Sequence, residues 1–276
     1  MRFWTVCLLA AACGCGARRP ASVRIDPALA TLVPSDTVLL AGARMDALRA
    51  TPLYARFAPL ASAPLGETGL DPGQVWEILA ASNGRRTAIL ARGKFSDSGL
   101  EPRLAMPGAA HVTYRGYPLT ETESLAVAFM NPTTVVAGRP EAVRAVLDER
   151  GRASGLPPAL ERQIERIGPE NQIWAAGVGS QELAQAAPRG GNLANLGMAL
   201  RLVESFRIAA QAGDGLRIAA TALCRNPDDA QSLSGALRFF AMLAGVKKDG
   251  LRIDAAGAEV RVEATIGPEA LGALQR

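Results

Sequence analysis

The stretch FRIAAQAGDGLRIAATA, residues 206–222, decides the fold. Phe206, Ile208 and Ala210 alternate with Arg207; the chain turns through Gly213-Asp214-Gly215 and returns as Leu216, Ile218, Ala220 and Ala222 opposite Arg217 and Thr221. Successive side chains on a strand point to opposite faces, so this period of two predicts a hairpin with one apolar and one wet face. Strands of a parallel sheet, covered on both sides, would read as unbroken apolar runs instead. A second hairpin is expected from Leu251 to Asp254 and back through Val260, Val262 and Ala264, with Glu259, Arg261 and Glu263 outward.

Between the hairpins every local signal points to a helix. Asn226 can cap it, Pro227 suits a first turn that needs no N–H, and Asp228 and Asp229 complement the positive end of the dipole. Leu233, Leu237, Phe240 and Leu243 form an apolar stripe, and Lys247 and Lys248 precede a stop at Gly250. A second helix is expected from about Leu193 to Val203, capped by Asn192. Upstream, His111–Thr120, Leu125–Met130 and Thr134–Ala137 read as a meander with Asn131-Pro132 in a turn, followed by a helix begun by Pro140. The class is therefore α+β: mainly antiparallel sheets with helices packed on one face.

The chain also reads as two duplicated halves. Leu32-Val-Pro-Ser-Asp-Thr-Val-Leu-Leu-Ala-Gly-Ala43 aligns without gaps on Ile167-Gly-Pro-Glu-Asn-Gln-Ile-Trp-Ala-Ala-Gly-Val178, matching Pro34 with Pro169, Ala41 with Ala176 and Gly42 with Gly177. Each copy predicts a short strand after the proline, Thr37–Ala41 and Gln172–Ala176, and Pro140-Glu-Ala pairs with Pro268-Glu-Ala at the far ends. The Gly/Pro-rich run from Arg150 to Pro158 separates them, giving a first half over 34–150 and a second over 159–276.

Composition narrows the function. A net charge of +4 is carried by dispersed arginines, with Lys only at Lys94, Lys247 and Lys248, so no nucleic-acid footprint is present. The one histidine, His111, falls with Thr113 and Arg115 on the solvent side of a strand, which leaves no basis for a Ser-His-Asp or Cys-His dyad or a multi-histidine zinc site. No Gly-x-Ser-x-Gly elbow or phosphate loop occurs. Paired acids remain: Asp228 with Asp229 reads as a helix start, and Glu121 with Glu123 as the outer face of a strand. Trp174 lies within a strand and Cys224 follows the inward Ala220 and Ala222, so both are expected in the core. No catalytic residue, cofactor or metal is assigned, and the chain is not expected to be an enzyme.

The N-terminus carries the one defined chemistry. Arg2 leads into the apolar run Phe3–Ala12, too short to span hydrocarbon, and Ala10-Ala-Ala stands immediately before Cys13. This segment resembles the signal and lipobox of bacterial lipoproteins, although Ala10 stands where Leu is usual. The resemblance implies a signal peptide over 1–12, removed by the lipoprotein signal peptidase, and acylation of Cys13 as the first mature residue. Gly14 in place of Asp favours the outer membrane in that family. The body also loosely resembles uncharacterised secreted bacterial proteins built from two α+β halves.

The lipoprotein resemblance implies that residues 13–33 form a lipidated start and short tether, with the body expected close to the membrane on the periplasmic side of the cell envelope. Two roles fit: a non-catalytic lipoprotein that binds an envelope protein or surface, or a carrier or sensor of an apolar ligand. An enclosed apolar cavity of several hundred Å3 would favour the carrier, and a filled core with an exposed apolar patch the binding role.

Overall fold

In the computed structural model, the described residues are 22–55, 72–95, 106–151, 155–179, 184, 201–243 and 250–268. Twelve strands form one sheet in which every hydrogen-bonded neighbour runs antiparallel, in the order β11-β12-β10-β9-β8-β1-β2-β3-β7-β6-β5-β4. The first half supplies β1 (Leu39–Arg44), β2 (Val75–Ser82), β3 (Thr87–Gly93), β4 (Ala110–Tyr114), β5 (Tyr117–Glu121), β6 (Ala126–Asn131) and β7 (Thr134–Gly138). The second supplies β8 (Ile173–Val178), β9 (Val203–Ala212), β10 (Leu216–Cys224), β11 (Leu251–Ala256) and β12 (Glu259–Ile266). Both expected hairpins are present, and Ala210 faces Ile218 across the first of them. The meander is present too, its first segment folded into β4 and β5 around Arg115 and Gly116. Both residues have positive φ, 52° and 81°, as a two-residue turn between right-twisted strands requires.

The halves meet at β1 and β8. Leu40 pairs with Ala176 and Ala41 with Ala175, so residues matched in the two sequence copies sit symmetrically about one point in the middle of the sheet. Outward from there the strand order repeats: β1-β2-β3-β7-β6 on one side and β8-β9-β10-β12-β11 on the other. The matched glycines have matching uses. A Cβ on Gly42 would run into the Trp174 indole, and one on Gly177 into the Phe206 ring.

Directly paired residues share a face, so the register assigns every side chain to one of two sides. Leu40, Leu79, Leu90, Val136, Leu119 and Trp174 lie on one side. They are covered by α1 (Pro27–Ala30), by α3 (Pro140–Glu149) through Val143 and Val146, and by α4 (Pro158–Ile164) through Leu160 and Ile164. On the other side α2 (Met45–Arg49) packs Met45 and Leu48 with Ala91, Val127 and Val135. Further along that same side α5 (Pro227–Leu243) packs Ala230 and Leu233 on Ile253 and Val260. The antiparallel α+β class is as expected, but the described strands form a single sheet and the described helices divide between its two faces. The cause is visible in the register: β1 to β3 carry apolar residues in both phases, so each face needs a cover.

Three further expectations change. Residues 22–33 are body rather than tether, because Val23, Leu29, Leu32 and Val33 are buried in the core and Val23 N–H donates to the Ile167 carbonyl at 2.8 Å. Pro27, within the expected tether, begins α1 behind the Asp26 cap. The helix expected to end at Val203 gives way to a turn at 201–202, and Val203 opens β9; residues 193–200 lie outside the described residues.

Candidate functional site

Three neighbouring strands carry a charge in the phase that is otherwise apolar and inward: Arg44 after Leu40 and Gly42, Glu77 before Leu79 and Ala81, and Arg92 after Ala88 and Leu90. Cross-strand register puts them in one row, Arg44 opposite Glu77, Glu77 opposite Arg92 and Arg92 opposite Thr134. The row lies at one end of the sheet, beneath the start of α1. Asp26 joins it from above. Its Oδ1 accepts from Ala28 N–H at 2.7 Å as the helix cap, and its Oδ2 accepts from Arg92 Nε at 3.0 Å. Arg92 Nη1 also donates to Thr134 Oγ1 at 2.7 Å and to the Thr133 hydroxyl.

Glu77 Oε2 accepts from Asp26 N–H at 3.2 Å. Burial pushes the Glu77 carboxyl up to about 7; the Asp26 N–H pulls against the shift, while the charges of Asp26 and Asp46 add to it and that of Arg44 opposes it. Arg44 ties the same end to the loop before β8, with Nη2 donating to the Pro169 carbonyl at 2.6 Å. Its Nε is buried with no partner among the described residues.

A carboxyl that titrates near neutrality among arginines is the kind of group that serves as an acid or base. Here, however, the row functions as a clamp: Glu77, Asp26 and Arg92 spend their bonds on α1, and the Thr133 and Thr134 hydroxyls are held by Arg92. Sequence reading passed over this row. The available signal was a charge in the inward phase of each of three apolar strands, visible once β2 and β3 are recognised.

The residues singled out from sequence lie apart from it. His111 is exposed on β4, its Nδ1 3.2 Å from Thr120 Oγ1. Asp229 receives Arg225 Nε at 3.0 Å at the start of α5, as a helix-start acid should. Glu121 differs from expectation: it faces inward to α3, where both its oxygens accept from Arg144 Nη2 at 2.7 and 2.8 Å, while Glu123 is exposed in the following turn. The reason is register, since Glu121 pairs with the fully buried Ala126. Trp174 is buried as expected and Trp76 exposed. Cys224 is a buried free thiol whose pKa burial raises; Cys13 and Cys15 lie outside the described residues.

A groove of about 500 Å3 opens on the second half, at the same end of the sheet. Arg217, Arg252 and Glu263 line it together with Ile218, Leu251 and Ala264, which makes it mixed in character and open rather than the enclosed apolar cavity a carrier needs. Large apolar side chains are exposed instead on α5, Phe239 at 52% and Met242 at 66%. No helix among the described residues is long and apolar enough to cross a membrane.

No family model and no curated protein matches the chain. Among solved structures it is similar to crystal form I of TP0453, with a TM-score of 0.50 and 14% identity over 91% of this chain and 96% of that one. Crystal form III of the same protein gives 0.49 and 13%, over 91% and 97%. At this identity the likeness is one of fold, and it extends over both halves of the sheet.

Proposed function

We propose that the chain is a cell-envelope lipoprotein, anchored through acylated Cys13, with its body on the periplasmic side of the outer membrane in a non-catalytic binding role. The observation that carries this reading is the apolar run closing on Ala10-Ala-Ala-Cys13. The body supports it in two ways. The described chain joins the core at Val23, leaving a tether short enough to hold the fold at a surface. Its ionisable cluster braces α1 against the sheet, while exposed apolar groups on α5 offer a contact surface. The test is metabolic labelling with a palmitate analogue: the native chain incorporates label and Cys13→Ser does not. Equal labelling of the two removes the anchor.

A further inference from the structure

The outward face of α5 changes character along its length. Asp228, Gln231, Ser232 and Gly235 are exposed in the first turns, whereas near the end Phe239 and Met242, one turn apart, are exposed beside Arg238. Phe239 also meets Phe240 edge to face, with ring centroids 6.1 Å apart. The inward face is occupied by the sheet, with Ala230 and Leu233 buried and Leu237 packed beside them, and the exposed Arg238 reaches back to donate to the Ile253 carbonyl at 2.8 Å. The outer apolar pair is thus surplus to the core.

Topology fixes which end of the molecule carries the pair. α5 leaves β10 after Cys224, and the chain re-enters the sheet at Leu251, which pairs with Ala264 beside the β10 start at Leu216. Its C-terminal turns therefore lie at the end of the sheet marked by Leu216, Ile173 and Arg44. The N-terminal segment arrives at that same end: Val23 bonds Ile167, and the loop that follows Ile167 is held by Arg44. From Cys13 to Ser22 the chain can extend no more than about 30 Å. Lys247 and Lys248 follow α5 in sequence and match the sign of anionic headgroups.

We propose that the C-terminal turns of α5 dock on the bilayer, with Phe239 and Met242 entering the headgroup boundary, so that the body meets the lipid surface at two points. The inference rests on the Cys13 anchor proposed above. The experiment uses the acylated full chain in phosphatidylethanolamine/phosphatidylglycerol vesicles, in a Cys15→Ser background that leaves buried Cys224 in place. A nitrobenzoxadiazole probe is carried by Met242→Cys, or by Glu123→Cys at the opposite end of the sheet as the control. The expected result is a blue-shifted Met242 probe whose quenching by iodide falls about threefold below that of the control, as an apolar face in the interface requires. A chain that floats with the vesicles while both probes quench equally overturns the docking and leaves the anchor standing. A chain that is not acylated yet still shields the Met242 probe supports the docking and removes the anchor.

Discussion

Glu77 shows what one side chain contributes at the level of free energy. Its carboxyl titrates near 7 in the fold and near 4.5 when free, so between those values the folded state holds a proton that the unfolded chain has released. Its stabilising contribution is complete below about pH 4.5 and is lost as the pH rises through 7. Urea titrations at pH 5, 6, 7 and 8 should therefore show Glu77→Gln gaining on the native protein as the pH rises, because the amide oxygen still accepts from Asp26 N–H. A constant difference across that range means that Glu77 ionises as it would in water. Residues on strands with one clear phase were legible in the sequence, as with His111 outward and Trp174 inward. Glu77, Arg92 and Arg44 were not, because a charge at a strand end reads as solvent-facing until α1 and the loop before β8 are seen to cover it.

At the scale of elements, α5 was readable because its caps, dipole and apolar stripe agree. Asn226 Oδ1 accepts from Asp229 N–H at 2.8 Å, satisfying a donor the helix cannot satisfy itself. Asn226→Ala should lower stability by about 1 kcal/mol in denaturant unfolding, and Asn226→Asp should restore most of it. Equal stability of the alanine variant and the native chain would mean that α5 is held by packing alone. Of the helix expected to end at Val203 only the last residues are corrected, for the complementary reason. Leu193, Leu196, Leu200 and Val203 fit a helical period, but Val203 belongs to the strand that pairs with β10 and β8, and long-range pairing overrides local period. The same holds for residues 22–33, expected as part of the tether, where burial of four apolar side chains makes them core.

At the scale of the molecule, the apparent boundary at 150–158 separates two sequence copies that share one sheet and one core cluster. β1 and β8 are hydrogen-bonded neighbours, and Leu40, Trp174 and Ala176 belong to the same core cluster as Leu90 and Val143. Thermal unfolding should therefore be one transition, with the calorimetric and van't Hoff enthalpies equal. Two resolved transitions would show that the halves fold independently. The sequence by itself determined the class, the hairpins with their turns, α5 and the repeat of the proline-led strands, because period, caps and turns act over a few residues. The tertiary structure alone decided that both halves share one sheet, that helices cover both of its faces, that Glu121 turns inward, and that the start of the described chain and the apolar end of α5 lie at the same end of the sheet. Each of these depends on strand pairing between residues far apart in the chain, and register, not local pattern, sets which face a side chain occupies.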